Sequence, residues 1–121
     1  MQIVESLLEA AYEDTQLLQK NDALGDCFTI PRDVDFVFVA DDRAKIETVA
    51  SFVEDNRYGV PTIEEANGGF RLIVAVHMPT TQNVICSVSA LMVCLAKLFG
   101  IEYDGWGCEL KTAQPHIPAD A

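Results

Sequence analysis

Apolar residues recur along this chain with two periods, and the switching between them marks out a series of helices and strands. Residues 2–20 read as a helix, with Val4, Leu7, Leu8, Ala11 and Leu18 on one stripe. Glu5, Glu9, Glu13 and Asp14 fall elsewhere on its surface, and Asn21, Asp22 and Gly25 end it. That stripe must pack on its own domain or on a second subunit. Residues 27–40 read as a first strand, with Pro31 limiting regular pairing near its start. Val34, Phe36 and Phe38 share one face, and Asp33 and Asp35 share the other, which turns apolar at Val37 and Val39. A strand apolar on both faces belongs at the centre of a sheet.

Asp41-Asp42 then opens a helix, where a carboxylate satisfies free backbone N–H groups and suits the dipole. Ile46, Val49, Ala50 and Val53 form its buried stripe, and Asp55-Asn56 with Gly59 close it. Tyr58 to Ile63 is a strand kept to an edge by Pro61, Asn67-Gly68 is a hairpin turn, and Phe70 to Met78 is again central. A long helix capped by Thr80, Thr81 or Asn83 runs to Phe99 and stops at Gly100. Its apolar residues go nearly all round, so the first helix or a partner must cover its outer side. Ile101 to Leu110 is the last strand, where Asp104-Gly105 permits a bulge that could turn Trp106 outward.

After the first helix the order is β-α-β-β-α-β. It predicts an α+β domain, a ferredoxin-like sandwich in which two helices cover one face of a four-stranded antiparallel sheet. The expected division is residues 1–26 for the N-terminal helix and linker, 27–111 for the domain and 112–121 for a flexible tail. Asp33, Asp35, Arg71, Ile73 and alternate residues of the last strand would line the opposite face, which is the default binding surface unless the first helix covers it.

Charge narrows the choice of partner. The 121 residues hold 19 acidic and 8 basic side chains, a net charge of −11. Residues 1–65 carry 15 acidic and 5 basic of these (net −10), and residues 66–121 carry 4 and 3 (net −1). Such a surface repels phosphate backbones and attracts a basic protein segment, so no direct nucleic-acid partner is expected. Residues 84–99 are short for a membrane span and carry Ser87, Ser89 and Lys97, which favours a core helix and no membrane partner.

Cys27, Cys86, Cys94 and Cys108 are widely spaced with no C-x-x-C pair, and Glu5 and Glu9 interrupt any leader at the start. Free thiols in a cytoplasmic protein follow. Catalytic signals are weak. His77 lies in a central strand, His116 lies in the tail, and a zinc site from Cys27, Cys86, Cys108 and His77 lacks the usual paired spacings. With no phosphate-binding or dinucleotide motif either, no catalytic residue, metal or cofactor is expected.

One stretch is more specific. Ile101-Glu102-Tyr103-Asp104-Gly105-Trp106-Gly107 closely resembles the E-Y-D-G-W-G motif near the end of the regulator of ribonuclease E activity B (RraB) family. Val39-Ala40-Asp41-Asp42, the following helix with Glu54-Asp55, then Arg57-Tyr58-Gly59-Val60 and Glu64-Glu65 resemble the family pattern upstream, so the similarity covers about residues 27–111. Two positions depart from it: Cys108 stands where a hydroxyl residue is expected, and Gln114 to Ala121 stand where family members carry a long acidic extension.

The resemblance implies a ferredoxin-like bacterial protein of the cytoplasm without enzymatic activity. It also implies a partner, the C-terminal scaffold region of the endoribonuclease ribonuclease E, and inhibition of transcript cleavage. Asp33, Asp35, Asp41, Asp42 and Asp104 are then the candidate acidic contacts. Tyr103 and Trp106 are candidate apolar anchors, since aromatics at a patch centre tend to dominate binding energy; core packing is the competing role for Trp106. An alternative function is a small-ligand sensor on a ferredoxin-like homodimer, with its pocket at the subunit interface. Another is an enzyme using His77 and Cys108.

Overall fold

The computed structural model describes residues 2–112. In chain order it contains α1 (Ile3–Ala23), β1 (Arg32–Ala40), α2 (Arg43–Asp55), β2 (Val60–Ala66), β3 (Gly69–Met78), α3 (Gln82–Phe99) and β4 (Glu102–Cys108). The strands form one antiparallel sheet in the order β2-β3-β1-β4. The molecule is thus α+β, with three helices and a four-stranded sheet. The central strands β1 and β3 and the edge strand β2 are those that the residue pattern predicts, and β4 forms the other edge.

Local chemistry explains where the elements start and stop. Asp42 caps α2, its Oδ1 accepting the Ala44 N–H at 2.9 Å. Asn67 and Gly68 both have positive φ (50° and 80°), as a two-residue turn between Ala66 and Gly69 requires. Gly100 closes α3 in the left-handed conformation.

The core lies between the sheet and the helices. Phe36, Phe38, Leu72 and Val74 from the sheet meet Ile46, Val49 and Val53 of α2 and Ile85 and Met92 of α3, all fully buried. Each such side chain gains about 1.5–3 kcal/mol by leaving water. By length and composition alone, α3 could cross a membrane, where residues 84–99 read as too short. Here it is the central core helix, and α1 packs along its outer side, which explains its nearly all-round apolar pattern.

The first helix differs from its reading in two respects. It continues through Asn21 and Asp22 to Ala23, before Gly25 at φ 87°. It also turns a different face inward. Asp14, Leu18 and Asn21 are buried and Leu7 and Leu17 are half-buried, whereas Val4 and Leu8, two residues of the expected stripe, are 62% and 67% exposed.

The first strand starts at Arg32 and not at residue 27, because the preceding carbonyls serve a different purpose. Arg32, 3% exposed, donates to the Cys27 and Ile30 carbonyls and to Glu109 O, and its Nη1 lies 2.6 Å from Asp26 Oδ1. Asp26 also accepts the Lys111 N–H, and a bridge pairs Asp26 with Thr112. One buried guanidinium therefore joins the segment after α1 to the segment after β4. The remainder of the expected tail, including His116, lies outside the described residues.

Candidate protein-docking site

The motif strand β4 contains an irregularity that decides where its aromatics go. Phe36 pairs with Trp106 and Phe38 with Tyr103, so Val37 alone stands opposite both Asp104 and Gly105. In a regular strand two residues three apart point to opposite faces. The extra residue, with Gly105 at φ 94°, brings both rings to the core face. The bulge predicted from Asp104-Gly105 is present, but it turns Trp106 inward.

Trp106 is 9% exposed, and its Nε1–H donates to Asp14 Oδ1 at 2.9 Å across the α1–β4 boundary. Fully buried Ser89 of α3 hydrogen-bonds the same carboxyl, and its Oγ lies 3.0 Å from the Tyr103 hydroxyl. Since an ionised carboxylate only accepts, the order is Tyr103 O–H to Ser89 Oγ–H to Asp14, with Trp106 N–H closing on the same group. Burial raises the Asp14 pKa above 3.8, and the Ser89 and Trp106 hydrogen bonds counter it. Burial also raises the Tyr103 pKa, partly offset by Ser89 and reinforced by Asp14 and Glu13. Tyr103 packs obliquely on Phe38 with ring centroids 5.5 Å apart. Trp106 therefore takes the competing core role, and the candidate anchor Tyr103 is partly buried beside it, so that the two dock α1 and α3 onto β4.

The candidate acidic residues lie outside this knot. Asp33 and Asp35 project from β1 on the sheet face opposite the helices, with Asp33 Oδ1 2.9 Å from His77 Nδ1. Asp104 is exposed in the bulge. Asp41 and Asp42 follow the other end of β1, about 25 Å from Asp33 at the rise of an extended strand. The seven candidates thus divide into an interior pair, three residues on or beside the open face and two at its end.

The helices leave that face uncovered. Along β1 it carries Asp33, Asp35, Val37 and Val39, and the paired residues on β3 are His77, Ala75, Ile73 and Arg71. Val60, Thr62 and Glu64 extend it over β2, where Arg71 Nη1 reaches Glu64 Oε1 at 3.0 Å. Glu102, opposite Val39, extends it over β4. Its centre (Val37, Val39, Ile73 and Ala75) is apolar and half-exposed, and Val60 is 68% exposed. Val37 and Val39 predict a central strand, and β1 is central; among the described residues no helix covers that side.

At the Ala40 end the face opens into a pocket of about 500 Å³, where Asp41, Asp42 and Glu102 stand with Lys45 and Arg71. No signal in the sequence joins these five, which come from the loop after β1, α2, β3 and β4. His77 and Cys108 do not meet: His77 pairs with exposed Asp33, whereas Cys108 pairs with fully buried Val34 on the opposite face. Burial raises the Cys108 pKa, with Arg32 opposing the shift, so no nucleophilic dyad forms. Among the described residues, no group of three or more His, Cys, Asp or Glu side chains is placed to hold a metal ion.

A search of curated protein sequences returns no match. The family model described as "Regulator of ribonuclease activity B" matches residues 11–108, most of the chain. That span begins within α1, three residues before Asp14, and ends at Cys108, so it includes every member of the Tyr103–Ser89–Asp14–Trp106 knot. The chain belongs to the regulator of ribonuclease activity B (RraB) family.

Proposed function

We propose that this protein is a non-enzymatic, cytoplasmic regulator that docks on a ribonuclease E-type endoribonuclease and restrains its degradation of RNA. The observation that carries this reading is the family match over residues 11–108. The target is a basic part of the ribonuclease's C-terminal scaffold region, in keeping with a net charge of −11 concentrated in residues 1–65. The separation of His77 from Cys108 favours docking over chemistry. We read the architecture as a ferredoxin-like sandwich, since β-α-β-β-α-β with strand order β2-β3-β1-β4 fits that arrangement.

Calorimetry against the purified C-terminal half of the ribonuclease, over a salt series, tests the reading. Binding is expected at low ionic strength, weakening as salt screens the exposed carboxylates. Absence of binding at low salt sinks the proposal; affinity unchanged at high salt removes its electrostatic part. In a cleavage assay the protein should slow the full-length ribonuclease but not a form lacking that half.

A further inference from the structure

We infer that the open face of the sheet, together with the pocket at its Ala40 end, receives a basic amphipathic helix of the partner. This rests on the docking reading above and assigns it a surface.

Three independent features converge on that face. The first is its apolar centre, which α1 leaves bare by packing on α3. The second is charge: Asp33, Asp35, Glu64 and Glu102 against Arg71 leave a net −3, with exposed Asp104 at the margin. A phosphate backbone would be repelled there, and a cationic segment attracted. The third is the pocket, lined by Asp41, Asp42 and Glu102 with Lys45, while Arg71 is engaged by Glu64. Its volume of about 500 Å³ accommodates a lysine or arginine side chain. Val39, Arg71 and Glu102 belong both to the face and to the pocket wall, so the two form one continuous surface.

Geometry favours a helix as the occupant. The sheet's backbone groups are paired within the sheet and offer a ligand lying on the face few hydrogen bonds, so an extended chain there would leave its own amides unsatisfied. A helix satisfies its own backbone, and its diameter of about 10 Å fits across four strands spaced about 4.8 Å apart. Its apolar stripe would rest on Val37 and Ile73, its flanking cations would meet Asp33 and Asp35, and one cation would enter the pocket.

The test compares exposed single variants of the full-length protein by calorimetry against the C-terminal half of the ribonuclease. A synthetic helical peptide with one leucine face and one lysine face serves as a second probe. Asp35→Lys and Val37→Lys are expected to weaken binding by about tenfold or more, since charge now opposes charge at the centre of the interface. Glu47→Lys on α2 and Glu9→Lys on α1 should change it by less than about twofold, as distant surface charges do under screening.

If the ribonuclease half binds the wild type and both face variants alike, or if the α1 and α2 variants lose as much, the assignment of this face is overturned while the docking reading stands. If only the synthetic peptide binds, and does so through Asp35 and Val37, the face is supported and the ribonuclease reading fails. If neither probe binds the wild type, both fall.

Discussion

At the scale of single residues, Asp14 is the one whose role is least apparent in the sequence. On a helical wheel it lies opposite Glu5 and on the side of Leu7, Leu17 and Leu18, which signals burial but names no partner for the carboxylate. Its burial depends on Trp106, 92 positions away, and on Ser89 within the largely apolar helix α3. Periodicity identifies apolar faces; it does not identify a carboxylate whose partners come from another strand.

The burial has a consequence for pH. The folded pKa of Asp14 lies above the ordinary 3.8, so the folded state holds this proton more tightly than the unfolded chain. The stabilisation from that proton is fully present below pH 3.8 and is lost as the pH rises through the raised value. Asp14→Asn keeps an oxygen acceptor for Trp106 and abolishes the titration. Melting temperatures of the two proteins through the acid range should therefore diverge, the variant gaining on the wild type as pH rises from 3.8 and holding a constant difference above the folded pKa. A difference independent of pH would mean that Asp14 is not desolvated in the fold.

At the scale of elements, strands, turns and caps were largely legible because their signals are local. Asn67-Gly68 and Asp42 do what those residue types do anywhere in a chain. The bulge in β4 was legible as a possibility, but its outcome was not, because whether a bulge turns a ring inward or outward depends on the register with β1. Gly105 holds φ 94°, and a side chain there would meet nothing within 4 Å, so replacing it is costly through the backbone alone. Gly105→Ala should lose about 1–3 kcal/mol of stability. Gly107→Ala, with equal space and no positive φ, should lose far less. Urea unfolding of the two variants checks this, and equal losses would show that the bulge geometry is not what Gly105 supplies.

The Asp26–Arg32 pair is the other device at this scale, and sequence reasoning passed over it because neither residue lies in a charged pattern. Both side chains are essentially excluded from solvent, at 0% and 1% exposure. Removing one member of such a pair strands the other. Asp26→Ala is therefore expected to cost about 3–5 kcal/mol, and Asp26→Asn, which retains an acceptor oxygen, less. Unfolding measurements on both variants decide it, a neutral Asp26→Ala being incompatible with a dry ion pair.

At the scale of the whole molecule, the expected division set the N-terminal helix and linker, residues 1–26, apart from a domain beginning at residue 27. The packing argues for a different organisation. The C-terminal half of α1 places Asp14, Leu18 and Asn21 in the interior, covers the outer side of α3 and supplies the acceptor for the chain's single tryptophan. Its N-terminal turns leave Val4 and Leu8 in water and contribute little burial. The family match begins at Ala11, close to where the helix passes from exposed to buried.

Two truncations separate these halves. A chain covering residues 11–112 retains the buried residues of α1 (Asp14, Leu18 and Asn21) and should keep the blue-shifted emission of a buried Trp106 and most of the wild-type melting temperature. A chain covering 25–112 keeps Asp26 for Arg32 but lacks Asp14 and exposes the Trp106 indole, Ser89 and the flank of α3 around Val93 to water. Its emission should shift to the red and its melting temperature should fall well below that of the 11–112 chain, because buried polar groups lose their partners together with the apolar cover. Equal emission and equal stability in the two chains would make α1 an appendage; the expected difference makes its second half part of the core that holds β4, and with β4 one edge of the open face, in place.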